Sequence, residues 1–336
     1  MKTDTEPRRA TTTGWIALAA YKPDPALFER QLRSIQSQTV QDFRVVICAD
    51  GGQGEVRALV ARLTDGDQRF SVVGADDRLG FYRNFERALR AVPPEAAWVA
   101  LSDQDDFWHA DKLERMLPHL EAASMVAGQA RVVRYPDETV LNPNTDRRNV
   151  APDDLPAFNQ FTGGMSVLRR DLLDLALPFP HSDSPAQVHD HWLALCAAVA
   201  GGAIVIPDIV QDYVQHGGNV LGESEDDRLR PAASWRRISD RARSSYGSAS
   251  VGALAAVAFD ASAGWAATMT DTLAERLPDD PAARRLASLY GRRSSWWRMA
   301  RHLGGSALSR RVPARNAVVQ LVGSSLRPIA RRRGRR

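Results

Sequence analysis

Ala97-Trp98-Val99-Ala100-Leu101-Ser102-Asp103-Gln104-Asp105-Asp106-Phe107-Trp108 sets a short apolar run against an abrupt cluster of carboxylates. The apolar half reads as a buried strand and the acidic half as the turn at its carboxyl end. Alternate carboxylates at a strand end can face one hard cation. Mg²⁺ or Mn²⁺ prefers one or two protein carboxylates, with water and substrate phosphates completing the shell. Taken alone, a D-x-D string is common and reads as a solvated acidic turn. Its surroundings decide.

Upstream, Gly14 to Ala20, Phe43 to Ala49 and Phe70 to Gly74 read as three more strands. Between them lie helical patterns at Ala26 to Gln38 and Glu55 to Leu63, and a third whose apolar face is Phe81, Phe85, Ala88, Leu89 and Val92. Such alternation means βαβ units and a mostly parallel sheet, with ligands held beyond the carboxyl ends of the strands. The residues there are Ala20-Tyr21-Lys22-Pro23, Asp50-Gly51-Gly52, Ala75-Asp76-Asp77-Arg78 and Asp103 to Asp106. Three of these four turns carry carboxylates, a costly convergence unless a cation or protons neutralise it. Downstream, Met125 to Asn149 is irregular and strand-like. The Gly163-Gly164 turn, a strand at Met165 to Leu168 and a short helix near Arg170 to Ala176 follow. A helix starting near Asp190 would bury Trp192, Leu195, Cys196 and Val199. A strand at Ala203 to Ile206 and an extended Ile209 to Gln215 close the compact body.

Charge divides the 336 residues into two materials. Residues 1–230 hold 24 Lys+Arg against 34 Asp+Glu, whereas residues 231–336 hold 20 Arg against 6 acids. A basic, helical tail of that kind points to phosphate-rich partners. Lipid head groups rank ahead of nucleic acid, and no nucleic acid is expected. Cys48 and Cys196 lie in apolar runs and read as small core residues of a reduced compartment. No uninterrupted run of about 18 apolar residues occurs, and the polar start, Met1 to Thr13, lacks a signal-peptide core. The expectation is a cytoplasmic protein that meets a membrane, if at all, peripherally on its inner face.

From Ala19 to Leu113 the chain resembles family 2 glycosyltransferases of the GT-A fold, segment after segment. The matching elements are Ala19-Ala20-Tyr21-Lys22-Pro23, Ser34-Ile35-Gln36-Ser37-Gln38-Thr39, Ala49-Asp50-Gly51-Gly52, and Arg78-Leu79-Gly80-Phe81-Tyr82-Arg83-Asn84-Phe85. The stretch from Ser102 to Trp108 is similar to that of a rhamnosyltransferase-like branch. The resemblance weakens between Met125 and Phe161. It returns at Phe161-Thr162-Gly163-Gly164-Met165-Ser166, at His189-Asp190-His191-Trp192 and at Tyr213-Val214-Gln215-His216-Gly217-Gly218-Asn219. Two departures stand out: Ala49 replaces the first Asp of the family's Asp-Asp-Gly-Ser turn, and Arg78 replaces its usual Asn.

The resemblance implies an α/β, Rossmann-like GT-A domain over residues 14–230 and an α-helical, Arg-rich extension over 231–336. Within the domain it implies a nucleotide-sugar half (14–120) and an acceptor half (121–230). It implies an inverting, Mn²⁺- or Mg²⁺-dependent transfer of a sugar, rhamnose or another hexose, from a nucleotide diphosphate donor to a glycan or lipid-linked acceptor. By resemblance, donor contacts fall to Ala20, Tyr21, Asp50, Arg78, Gly80, Asn84 and Asp103, and metal ligation to Asp103, Asp105 and His216. The acceptor side falls to Gly163, Gly164, His189, His191 and Trp192, and the general base to Asp190. Each has a plainer reading: Asp190 as a helix cap, Asp50 as the start of a Gly-Gly turn, His216 as a solvated loop residue. A nucleotidyltransferase is the rival enzyme class, although Tyr21-Lys22-Pro23 is not its Gly-rich phosphate loop. A non-catalytic glycan- or lipid-binding protein is the rival without chemistry. In the tail, Trp296 and Trp297 among Arg292, Arg293, Arg298 and Arg301 have the composition of a helix lying on an anionic membrane surface. The alternative is packing on the catalytic domain or on a second subunit, as in a homodimer.

Overall fold

A computed structural model describes residues 13–182, 184, 186–217, 240–244, 247–327 and 329. Gly218, Asn219, the segment around Pro231 and the closing Arg cluster lie outside the described residues.

The strands at the first four turns form as their apolar runs require: β1 (Gly14–Ala20), β2 (Phe43–Asp50), β3 (Phe70–Ala75) and β4 (Trp98–Ser102). They pair in parallel in the order β3-β2-β1-β4. The crossovers are α1 (Pro25–Gln36), α2 (Gln53–Leu63) and α3 (Phe81–Arg90). Asp24 starts α1 by accepting from the amides of Ala26 and Leu27 ahead of Pro25, a pairing suited to a helix N-terminus. Phe28, Leu32 and Ile35 then pack with Ile16, Leu18, Val45 and Ile47, all fully buried.

Beyond β4 the sheet turns antiparallel. A two-residue β5 (Phe107–Trp108), then β6 (Met125–Arg134), β7 (Thr139–Asn142), β8 (Ser166–Arg169) and β9 (Ala203–Gln215) complete nine strands in the order β3-β2-β1-β4-β8-β6-β9-β5, with β7 on β6. The irregular stretch after Met125 is thus a strand pair with a register shift at Val132/Val133. The segments at Ala203 and Ile209 are one strand that runs through Pro207. This is the GT-A arrangement: a parallel half continued by antiparallel strands.

The chain divides into two compact units. Unit 1 comprises Met1–Arg148, Phe161–Phe179 and Ala200–Val214, and unit 2 comprises Asn149–Gln160, Pro180–Val199 and Gln215–Arg336. The extension therefore shares a unit with two segments that the sequence reading put in the body. Unit 2 is helical, with α6 (His189–Val199), a long α7 (Val251–Arg276), α8 (Pro281–Tyr290), α9 (Trp296–Leu308) and α10 (Ala314–Ser325). In unit 1, α4 (Lys112–Met116) and α5 (Leu172–Ala176) follow β5 and β8. By length and hydropathy α7 is able to cross a membrane (26 residues, mean hydropathy 1.3), which a search for unbroken apolar runs did not reveal. Its best window is 61% buried in the protein, the pattern of a core helix. Tyr290, Met299, Leu303 and Val312 form the neighbouring core. Buried Asp154 is held there by Ser306 Oγ at 2.6 Å and His302 Nε2 at 3.0 Å.

Candidate functional site

A cleft of about 530 Å³ in unit 1 is lined by Tyr21, Lys22, Pro23, Asp50, Gly51, Gly52, Glu55, Val56, Leu59, Asp76 and Arg78. Eight of these residues come from three of the four turns at the carboxyl ends of the parallel strands, as the topology requires, and Glu55, Val56 and Leu59 come from α2. Gly51 and Gly52 have φ of +97° and +62°, which lets the chain leave β2 sharply and enter α2. The Arg78 guanidinium lies over the Tyr21 ring at 4.2 Å, a flat polar-aromatic wall suited to a planar base or a phosphate.

Asp50 borders this cleft but is only 2% exposed. Its two oxygens accept from Leu79 N (2.6 Å) and Gly80 N (2.9 Å). The carboxylate thus fixes the loop that carries Arg78, and Gly80 contributes its amide to that loop. Asn84 corrects the sequence reading more plainly. It is buried, donates from Nδ2 to Cys48 O at 2.7 Å, and accepts from Arg87 at 2.9 Å. It ties α3 to β2 and is turned into the fold, because a side-chain amide at that position can satisfy a strand carbonyl. Ala20, 1% exposed, is the last residue of β1 and lies in the core.

The acidic turn begins where β4 ends. Gln104, between the two aspartates, bonds the backbone of Tyr21 in both directions: Tyr21 N to Oε1 at 2.7 Å, and Nε2 to Tyr21 O at 3.2 Å. The middle residue is a clip between two turns, and Asp103 and Asp105 on either side of it remain half-buried. The Ser34-to-Thr39 stretch braces the same turn from below. Ser34 Oγ accepts from Trp108 N, Gln38 holds His109 O and Leu113 N, and Thr39 N donates to Ala110 O at 2.8 Å.

Beneath the turn lies a network that the sequence reading missed. Asp106 is buried, and its oxygens accept from Val214 N (3.1 Å) and Gln211 Nε2 (2.8 Å). Gln211 Oε1 in turn accepts from Lys112 Nζ at 2.7 Å. Lys112 is fully buried, also donates to Gly164 O, and lies 3.7 Å from the centre of the Trp108 ring. Burial, then the charges of Asp103 and Asp105, push the Asp106 carboxyl well above its ordinary value, while burial pulls Lys112 well below its own. A Cβ on Gly164 would come within 2.9 Å of Asp103 Oδ2 and 3.1 Å of Asp106 Oδ2, so glycine is what admits both oxygens to one spot. Gly163 and Gly164, assigned to the acceptor side, thus floor the acidic turn.

That crowding is the observation against which a divalent cation is tested, and the residues fit one. Three aspartates in four residues share one edge, and the charges of Asp103 and Asp105 add to burial in raising the Asp106 carboxyl. Among the described residues, no group of three or more His, Cys, Asp or Glu side chains is gathered for a metal. Mg²⁺ and Mn²⁺ sites that complete their shell with substrate phosphates need no such group.

In unit 2, Asp190 sits half-exposed in the first turn of α6. Its Oδ1 accepts from Asn159 Nδ2 at 3.2 Å and from His191 N at 2.6 Å. Its neighbours differ from expectation. His189, His191 and Trp192 are all buried, since this short helix is covered on nearly every face. His191 Nε2 bonds Leu155 O at 2.9 Å, and Arg276 lies over the Trp192 ring. Burial pushes His189 down to about 3 and His191 to about 4. They are buried residues of the helix core, not the exposed acceptor contacts that the resemblance implies. His216 is half-buried in unit 2 at the end of the described β9 segment.

A parallel α/β half with carboxylates just beyond its fourth strand, continued by antiparallel strands, defines the GT-A fold class. Residues 16–175 match the family described as Glycosyl transferase family 2. A curated relative, the uncharacterized glycosyltransferase YwdF of Bacillus subtilis (strain 168), is 25% identical over 183 residues. The match covers 53% of this chain and 63% of that protein, so the chain spans just under two thirds of that relative's length. Among solved structures, S. aureus TarS 1–349 in complex with UDP-GlcNAc is similar with a TM-score of 0.49 and 13% identity, over 96% of this chain and 92% of that one. The mannosyltransferase PcManGT from Pyrobaculum calidifontis, in complex with GDP-Man and Mn²⁺, gives a TM-score of 0.46 at 18% identity, over 97% and 90%.

Proposed function

We propose that the protein is an inverting, divalent-metal-dependent glycosyltransferase that moves a hexose from a nucleoside diphosphate to a hydroxyl of a glycan or lipid-linked acceptor. The observation that carries this reading is the Asp103/Asp105 pair, clipped by Gln104 to the Tyr21 turn of the cleft. The Tyr21/Arg78 wall and the Gly51-Gly52 turn receive the nucleotide. Asp103 and Asp105 would hold Mn²⁺ or Mg²⁺, which when bound supplies positive charge against a leaving diphosphate. Asp190 takes the proton from the acceptor hydroxyl. As it does so, the hydroxyl oxygen bonds to the anomeric carbon and the sugar–phosphate C–O bond breaks, its electron pair leaving with the nucleoside diphosphate.

The Ser102-to-Trp108 resemblance favours a deoxyhexose such as rhamnose as the sugar. The exposed Trp297, Leu308, Val318, Val319 and Val322 of unit 2, set among arginines, favour work at the inner face of an anionic membrane. The test is a panel of labelled nucleotide sugars with Mn²⁺. Slow donor hydrolysis supports the reading. Release of pyrophosphate instead, or no turnover of any donor, refutes it.

A further inference from the structure

Helices α8 and α9 of unit 2 flank a second, open cavity, of about 330 Å³, lined by Arg285, Ser288, Leu289, Arg298, Arg301 and His302. Residues 285, 288 and 289 share one face of α8, and residues 298, 301 and 302 share one face of α9, because each set is spaced i, i+3, i+4. The cavity is therefore made by two helix faces, each presenting arginine. Arg285 pairs with Asp153. Neither Arg298 nor Arg301 meets a carboxylate among the described residues, and both are exposed. His302 is held by Nε2 to Asp154 Oδ1 (3.0 Å) and Asp153 O (3.1 Å), and Tyr290 meets its ring edge-on, so that wall of the cavity is fixed. Like charges brought together without partners cost free energy, and arginine pairs of this spacing suit the oxygens of a phosphate.

We infer that this cavity is a binding site for a phosphate or diphosphate group, separate from the donor cleft. Arg298 and Arg301 grip the oxygens, and Ser288, whose Oγ donates to Arg285 O at 2.7 Å, lines the cavity from the other helix. The group could be borne by a lipid or be free in solution. Trp297, 77% exposed and one turn from Arg301, borders the site with an apolar ring, as a lipid-borne phosphate would need. Only the choice of the lipid source rests on the function proposed above.

The test uses the full chain in EDTA without donor, so that neither the acidic turn nor turnover enters. Inorganic pyrophosphate is titrated by calorimetry. In parallel, phosphatidylcholine vesicles with and without phosphatidic acid are co-sedimented. Wild type should bind pyrophosphate, and Arg298→Gln/Arg301→Gln should bind about tenfold more weakly or worse. Arg293→Gln/Arg315→Gln, which removes the same charge elsewhere on unit 2, should stay within about twofold. Ser288→Glu, which puts a carboxylate into the cavity from the other helix, should reproduce the loss. If the vesicle arm shows the same pattern, the source is a lipid head group; if only the pyrophosphate arm does, it is a soluble phosphate. Absent binding in both arms, or equal losses in the two arginine double variants, would overturn the inference.

Discussion

The acidic turn of unit 1 and the arginine cavity of unit 2 concentrate opposite charges by opposite means. The acids stand on a buried foundation: Asp106, Gln211, Lys112 and the Gly164 carbonyl form a continuous hydrogen-bonded floor. The arginines stand on exposed helix faces with only His302 and Asp153 anchored behind them. Unit 1 therefore fixes where its carboxylates are, whereas unit 2 leaves its guanidinium groups able to adjust. A site that must align a reacting bond needs the first arrangement, and one that only retains a charged group needs the second.

The comparison breaks most severely at Lys112. Lys112→Met removes the buried amine beside Asp106 and Asp103 and strips donors from Gly164 O and Gln211. The expected loss is about 3–5 kcal/mol, the scale for breaking a buried charged network. Urea unfolding measures it, and adding Asp106→Asn to Lys112→Met should recover part of the loss. An Arg298→Gln change in the exposed cavity should cost under about 0.5 kcal/mol in the same assay.

Asp190→Asn should leave stability and donor binding intact while turnover falls about 10²-fold or more, the usual cost of losing a general base. Single-turnover kinetics check it, and near-normal rates would place the base elsewhere.

A smaller effect concerns acid. Burial holds His189 near 3 and His191 near 4, against 6.5 in the unfolded chain, so below pH 6.5 the unfolded state binds protons that the folded state does not. Stability is full above that value and falls as the pH drops through the window, by up to ~1.4 kcal/mol per pH unit for each ring. Thermal melts between pH 7 and 5 should show the slope, and His189→Leu should make it shallower. The smallest effect separates the paired tryptophans. Trp296, whose Nε1 donates to Leu321 O at 3.1 Å, should cost about 1–2 kcal/mol on truncation to alanine, and exposed Trp297 almost nothing.

The same contrast governs how far the sequence could be read. β1 was legible to the residue and β2 to β4 to within one, because buried parallel strands are unbroken apolar runs bounded by turn residues. β9 was split in reading because Pro207 cannot donate to a ladder, yet the strand passes through it. The four turns at the carboxyl ends of the parallel strands were legible from topology. What each side chain does there was not. Asn84 and Asp50 carry donor-contact signatures but hold Cys48 O and the Arg78 loop, a choice made by partners some 30 residues away. Lys112 carries no local mark of burial, since buried lysine is rare and its partners come from β9 and the Gly163-Gly164 turn. The grouping of residues 149–160 and 180–199 with the helical extension rests on long-range packing that no local pattern records.

The central claim is that the acidic turn and the Tyr21/Arg78 cleft take a nucleoside diphosphate through a divalent cation. Calorimetric titration of the donor nucleotide with Mn²⁺ and then in EDTA tests it most directly, on the wild type and on Asp105→Ala. The account predicts that EDTA weakens wild-type binding about tenfold or more, and that Asp105→Ala, still folded, binds weakly in both conditions. Equal wild-type affinity with and without the cation would contradict it.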